Sequence, residues 1–326
     1  MKKNNILVIG GAGYIGSHMV RRLLDAGLTP VIFDNLSTGY KTSIPKDVPF
    51  IKGDLRSASD LKKAFSKYKI ETVVHFAAFI VVPESVSDPI KYYDNNVVAF
   101  VNLLAVMSAF KVRNIIFSST AAVYGNATKM PITENSALVP TSPYGRTKLM
   151  MEQMVMDTAA AHKDLSYIIF RYFNVAGARG DGKIGEAHEP ETHLIPCILK
   201  SIKGERKGLT IFGDDYPTKD GTCVRDYIHV QDLVDAHFLG IGAFKKGIKN
   251  DVFNLGSQSG YSNLEVIKAC ERSTGQNVQY TLGPRRAGDP AKLIASSQKA
   301  KTILGWKPKR GLPDIVQSAW DWERKR

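Results

Sequence analysis

Short apolar, β-branched runs recur through the first half of the chain with helical stretches between them: ILVIG (Ile6 to Gly10), PVIFD (Pro30 to Asp34), PFIKGD (Pro49 to Asp54), TVVHFAA (Thr72 to Ala78), NIIFSST (Asn114 to Thr120) and YIIFRYFN (Tyr167 to Asn174). A strand with one wet face alternates apolar and polar residues, and these runs do not. Each is therefore expected to be covered on both faces, as in a parallel sheet. Regular alternation of such strands with helices implies a doubly wound α/β fold. After Asn174 the rhythm gives way to Gly-, Pro- and charge-rich segments with shorter elements, among them RGDGKIGEAHEPETH, which reads as a long loop that carries function or lies over a site. DVFNLGS (Asp251 to Ser257) again reads as a strand, so a smaller α/β substrate domain is expected to be interleaved with the larger one. The expected division is 1–174 with 226–257 for the sheet domain, and 175–225 with 258–326 for the smaller.

The first strand runs directly into GGAGYIG, which supplies Gly10, Gly13 and Gly16 at the start of an amphipathic helix carrying Ile15, Met19, Val20 and Leu23. Glycines there allow a tight turn and the close approach of a pyrophosphate, which the unpaired N–H groups of a helix N-terminus stabilise. The second strand ends at Asp34, 18 positions beyond Gly16, where a carboxylate can hold an adenosine ribose diol. That charge would repel a ribose 2′-phosphate, so NAD is expected over NADP.

Charge and cysteine content bound what else the chain can be. A net charge of +13 raises the question of nucleic acid, but the basic residues are scattered, and clusters such as KKGIKN and KPKR lack interleaved aromatics. Solvated surface and a phosphorylated small substrate account for them, and no nucleic-acid partner is expected. No run approaches the ~20 apolar residues of a membrane span. Cys197, Cys223 and Cys270 are few, odd in number and show no metal-like spacing; reduced thiols in a cytoplasmic protein are expected, with no metal site.

SPYGRTK (Ser142 to Lys148) places Tyr144 and Lys148 four residues apart behind Pro143. Pro143 can open a helix, since its missing N–H is unpaired at that end in any case. The pair then shares one face of a first turn, where a cation favours ionisation of a phenol whose ordinary pKa is about 10.

The glycine triplet, SST at the end of the fifth strand and Tyr144-x-x-x-Lys148 resemble the extended short-chain dehydrogenase/reductase family over essentially the whole chain. GGAGYIGSH, FDNLSTG, HFAA, YGRTKLMMEQ, RYFNVAGA and DGTCVRDYIHVQDL narrow the resemblance to the NAD-dependent nucleotide-sugar C4 epimerases of that family. It implies a Rossmann-like domain with retained NAD, and reversible hydride transfer through a 4-keto sugar that interconverts UDP-glucose and UDP-galactose; Leu293, where relatives restricted to that pair tend to carry a bulky Tyr, would leave room for UDP-GlcNAc and UDP-GalNAc as well. Thr120, Tyr144 and Lys148 would form the catalytic triad. Tyr14, Ile15, Asn35, Asp54, Leu55, Phe76, Ala77, Ala78, Asn95 and Phe173 would complete the cofactor cradle begun by the glycines and Asp34. Asn174, His193, Leu194, Phe212, Arg225, Arg286, Asp289 and Leu293 would join Thr120 and Tyr144 around the UDP-hexose. The chain departs from the family pattern at Ile80, where a cofactor-contacting Lys is common, and at His193, where Asn is common. The helices near Asn95 to Phe110 and Tyr144 to His162 imply a homodimer. Epimerases of UDP-glucuronate or UDP-pentoses share the triad and stand as alternatives. A 4,6-dehydratase is the other alternative; it needs proton carriers after Thr120, where this chain has Ala121 and Ala122.

Overall fold

The structure, a computed structural model, describes residues 5–286 and 289–326. In chain order it begins with β1 (Asn5–Ile9), α1 (Tyr14–Asp25), β2 (Pro30–Asp34), β3 (Phe50–Lys52), α2 (Ala58–Lys67), β4 (Ile70–His75), α3 (Val82–Ser87), α4 (Pro89–Tyr92), α5 (Ala99–Ala109), β5 (Asn114–Thr120) and α6 (Pro143–Ala161). It continues with β6 (Ser166–Tyr172), β7 (Asn174–Ala176), α7 (Leu194–Ile202), β8 (Thr210–Phe212), β9 (Val224–His229), α8 (Val230–Lys245) and β10 (Asp251–Leu255). The last elements are β11 (Gly260–Ser262), α9 (Asn263–Thr274), β12 (Thr281–Gly283), β13 (Lys292–Leu293), α10 (Gln298–Leu304) and α11 (Leu312–Glu323).

Two compact units result. One comprises residues 1–125, 137–171 and 234–253, the other 126–136, 172–233 and 254–326. The first is built on a seven-stranded sheet in the order β10-β6-β5-β4-β1-β2-β3. All seven expected strands are present, shortened at their ends: Phe76 to Ala78 have left β4, and β3 stops at Lys52. The pairs β1–β2, β1–β4, β2–β3 and β4–β5 are parallel. Leu7, Ile9, Val31, Phe33, Val73, Ile115 and Phe117 are buried on one face and Val8, Ile32, Val74 and Ile116 on the other, which is why these strands read as continuous apolar runs. Each such side chain contributes roughly 1.5–3 kcal/mol relative to exposure. The strand order reverses between β1 and β4, and in sheets of this kind the crevice beyond the strand ends at that reversal is where ligands bind.

The second unit centres on β9, flanked by β7 and β13 in parallel and by β11 antiparallel. Helices α7, α9 and α11 supply its core through Ile195, Ile198, Leu199, Val266, Ile267, Ile315 and Val316. Helix α9 is fixed at both ends, by a capping box between Ser262 and Glu265 and by left-handed Gly275. The three cysteines are free and buried. No helix among the described residues is long and apolar enough to cross a membrane.

Candidate active site

In the first unit the chain leaves β1 through Gly10 at φ +77, a conformation suited to glycine, and a Cβ there would sit 2.8 Å from the Ala77 nitrogen. A Cβ on Gly16 would fall 2.0 Å from the Gly10 carbonyl oxygen. The turn therefore brings bare backbone against the end of β4, and Gly13, in extended geometry, opens α1 with no side chain capping it. The N–H groups of that first turn face an anion-binding position, and the residues fit a dinucleotide pyrophosphate.

Asp34, at the end of β2, is buried, and burial raises its pKa, opposed by backbone hydrogen bonds from Leu36 and Ala12. Its Oδ2 accepts from Ala12 N at 2.9 Å and its Oδ1 from Leu36 N at 2.8 Å. These bonds orient the carboxylate and leave each oxygen a further lone pair for a ribose hydroxyl. Asn35 donates through Nδ2 to Asp54 Oδ2 at 3.2 Å. Asp54 is more heavily committed than its sequence position indicates: Arg56 grips both carboxylate oxygens, and that hydrogen bonding draws the Asp54 pKa down to about 2. Leu55 is buried in the core, while Tyr14, Ile15, Phe76, Ala77 and Ala78 are partly exposed around the glycine turn. Ile80 is exposed.

Asn95 lies in a π-helical turn, Tyr93–Val98, and donates to Asn96 Oδ1 at 3.0 Å. Sequence reasoning missed Asn96. Fully buried, it accepts from Phe79 N at 2.9 Å and donates to the Thr147 hydroxyl at 3.1 Å, tying the segment after β4 to α6. A π turn is a frequent signature of a functional position, but nothing in the spacing of the residues announces it.

Helix α6 starts where Pro143 indicates, with Ser142 as an N-cap that accepts from Gly145 N at 3.2 Å. Tyr144 and Lys148 share one face, and both are buried. The Thr120 hydroxyl beside the Tyr144 phenol favours its ionisation, but burial is the larger influence and pushes the phenol up to about 12. The expected lowering of the Tyr144 pKa by Lys148 is not what this structure has. The Lys148 ammonium instead donates to the Ser118 carbonyl at 2.8 Å, and burial lowers its own pKa to about 7. The charge that favours an ionised Lys148 comes from Glu152, one turn further along α6.

Glu152 is the second residue missed, although Tyr144, Lys148 and Glu152 repeat at a spacing of four that a helical reading could have extended. It is fully buried and held by the Arg171 guanidinium, with Nε to Oε1 at 2.9 Å and Nη2 to Oε2 at 2.6 Å. The Ser119 hydroxyl also donates to it, and Arg171 donates to the Tyr124 hydroxyl at 3.0 Å. This network fixes the end of β5, from which Thr120 projects as the cap of a short 3₁₀ turn. The chemical content is a phenol beside a hydroxyl in a dry setting, with an amine one turn behind it.

The second unit holds the remaining predicted residues. Phe173 is buried and Asn174 exposed at the start of β7, opposite Tyr227 of β9. Leu194 begins α7 and packs against its core. Arg225 and Asp289 were each expected to meet a substrate, and here they meet each other: Arg225 Nη2 donates to Asp289 Oδ1 at 2.9 Å, and Nη1 to the Pro290 carbonyl at 2.9 Å. Leu293, half-buried in β13, is in register with Arg225. Arg286 is exposed, its guanidinium 4.1 Å from the centre of the Phe212 ring. His193 precedes α7 with Nδ1 2.9 Å from Glu186 Oε1 and 3.0 Å from Glu191 Oε1. Burial draws the His193 pKa down, but the two carboxylates outweigh it and hold the imidazole near about 10.

Residues 6–256 match the NAD dependent epimerase/dehydratase family. The chain is 52% identical over 318 residues to a UDP-glucose 4-epimerase of Lacticaseibacillus casei, covering 97% of this chain and 96% of that one. Among solved structures, a UDP-glucose 4-epimerase of Brucella ovis in complex with NAD is 44% identical with a TM-score of 0.94, each chain covered to 97%. A UDP-glucose 4-epimerase of Bifidobacterium longum in complex with NAD⁺ and UDP is 39% identical with a TM-score of 0.94, covering 99% of this chain and 98% of that one. With the family match spanning most of its length and its relatives covered nearly end to end, this chain belongs to the NAD dependent epimerase/dehydratase family.

Proposed function

We propose that this chain inverts C4′ of UDP-hexoses, interconverting UDP-glucose and UDP-galactose with retained NAD. The observation that carries the reading is the buried Tyr144 phenol beside the Thr120 hydroxyl, with Lys148 one turn away, together with a glycine turn fitted to a pyrophosphate. Its similarity to UDP-glucose 4-epimerases along nearly the whole chain supports it.

Gly10, Gly13, Gly16 and Asp34 hold NAD, whose nicotinamide, when bound, supplies a reversible hydride acceptor and a positive charge. Tyr144 takes the proton of the sugar 4′-hydroxyl and later returns it. A phenol at about 12 is a strong base once ionised, and the positive charge of a bound nicotinamide would favour that ionisation. Thr120 can donate and accept at once, so it orients that hydroxyl against the phenol oxygen. Lys148, steadied by Ser118 and Glu152, presents a charge whose Nζ has donors left for a ribose hydroxyl. Arg225 and Arg286 hold the diphosphate, Arg225 from a guanidinium already aimed by Asp289. Ala121 and Ala122 supply no proton carriers for elimination, which favours epimerisation over dehydration.

The substrate range extends to UDP-GlcNAc and UDP-GalNAc in this reading, because Leu293 leaves space where a bulkier ring would press on a C2 substituent. Exposed Val98, Val101 and Met150 on the helices expected to pair support a homodimer. Monitoring the C4′ configuration by NMR across a UDP-hexose panel tests the function. Equilibration of UDP-galactose with UDP-glucose is expected; inertness toward both would contradict it.

A further inference from the structure

The long loop before α7 contains the spacing Glu186-x-His188-x-x-Glu191-x-His193, and the fold gathers all four side chains. One ligand atom from each lies within 4.8 Å of all the others. His188 Nδ1 is 3.2 Å from Glu186 Oε1, His193 Nδ1 is 2.9 Å from the same oxygen and 3.0 Å from Glu191 Oε1, and His188 Nδ1 is 3.9 Å from Glu191 Oε2. Four donors in a tetrahedron about an ion, each at roughly 2.1 Å, stand about 3.4 Å apart. The observed separations bracket that value.

A second observation points to something these groups bind. Glu191 is nine-tenths buried, and its Oε2, turned toward His188, accepts no hydrogen bond among the described residues. Leaving a buried carboxylate oxygen unmatched is costly, and a cation at the centre of the cluster would satisfy it. The backbone holds the geometry in place: Trp322 Nε1 donates to the Glu186 carbonyl at 3.0 Å, and Arg206 Nη1 to the Glu191 carbonyl at 3.1 Å. Glu191 Oε1 accepts from Thr192 N at 2.8 Å and His193 N at 2.9 Å. The carboxylates lie inside and the imidazoles at the rim, with side chains 23% and 38% exposed, which gives an ion a way in.

We propose that Glu186, His188, Glu191 and His193 bind one divalent transition-metal ion, with zinc as the best match. Two neutral imidazoles and two carboxylates neutralise a doubly charged ion, and this mixed nitrogen and oxygen set suits zinc far better than calcium or magnesium, which take oxygen ligands. With Nδ1 of His193 on the ion, its proton sits on Nε2, the nitrogen left to donate elsewhere. The ion would fasten the loop to the start of α7. This inference is independent of which reaction the chain performs.

The test is titration of chelator-treated, tag-free protein with zinc chloride, followed calorimetrically. One equivalent per chain is expected, weakened at least tenfold in both Glu191→Gln and His188→Ala and unchanged in His162→Ala, an exposed histidine outside the cluster. Glu191→Gln is isosteric and serves if His188→Ala fails to fold by circular dichroism. X-ray absorption of the zinc-loaded protein should show a nitrogen and oxygen shell. Absence of stoichiometric binding, equal affinity in the folded variants, or a sulfur shell from the cysteines would overturn the proposal.

Discussion

Glu152 and Glu191 are both buried carboxylates, one in each unit, and their surroundings differ in kind. Glu152 has both oxygens bonded to Arg171, with Ser119 donating as well. Glu191 faces imidazoles and has one oxygen unmatched among the described residues. The histidines of the two units diverge in the same way. His75, at the end of β4, has burial and the nearby Lys148 charge both lowering its pKa, to about 3, and neither ring nitrogen finds a hydrogen-bond partner among the described residues. His193 meets two carboxylates and stays charged. Burial alone thus does not fix charge in this molecule; the partner does. A guanidinium makes a permanent pair, suited to holding the triad's platform rigid. Imidazoles make a set that can exchange protons for a metal.

Breaking the permanent pair should give the largest effect on stability. Glu152→Ala leaves Arg171 buried without its counter-ion, and loss of about 3–5 kcal/mol is expected in urea unfolding. A loss below ~1 kcal/mol would mean that water or a rearranged Tyr124 compensates. In the second unit, Leu293→Tyr should lower kcat/KM for UDP-GlcNAc relative to UDP-glucose by about 1–3 kcal/mol, the range for a crowded apolar pocket. Equal effects on both sugars would place Leu293 outside that pocket.

His75 provides a pH test of the first unit. Its folded pKa lies below the ordinary 6.5, so between about 6.5 and about 3 the unfolded chain takes up a proton that the folded chain refuses. Stability should fall as pH falls through that window, with His75 contributing up to about 1.4 kcal/mol per pH unit. Unfolding free energies of His75→Phe measured at a series of pH values should show a shallower slope; an unchanged slope would remove His75 from the account. The smallest effect is expected for Glu191→Gln in chelator-treated protein, about 1 kcal/mol or less, since the amide oxygen can keep the two backbone hydrogen bonds and no unmatched charge remains. A loss comparable to that of Glu152→Ala would erase the contrast between the two regions.

Much of the first unit was legible in the sequence for a physical reason. A strand buried on both faces must be continuously apolar, and a glycine turn must run straight into a helix, so β1, β2 and the cofactor turn are written locally. Tyr144 and Lys148 were legible because four residues make one helical turn; Glu152 obeys the same spacing and was passed over because its partner, Arg171, lies on a different element. Arg56 took Asp54 from two residues away, a contact that depends on a rotamer rather than a pattern. Arg225 and Asp289 were each assigned a ligand because their pairing depends on tertiary placement of the segment before β13, which has no local signature. The loop from Glu186 to His193 stands out in the sequence by its length and composition, but not as a ligand set. Its histidines and carboxylates converge through a backbone path that composition does not reveal.

The proposed function rests on Tyr144 moving the proton of the sugar 4′-hydroxyl. The direct measurement is turnover of UDP-galactose by Tyr144→Phe, alongside the NAD content of the purified variant. The ring is retained and only the hydroxyl is lost, so NAD should remain bound while kcat falls by about 10² to 10⁴. Near-normal turnover with NAD bound would contradict the account.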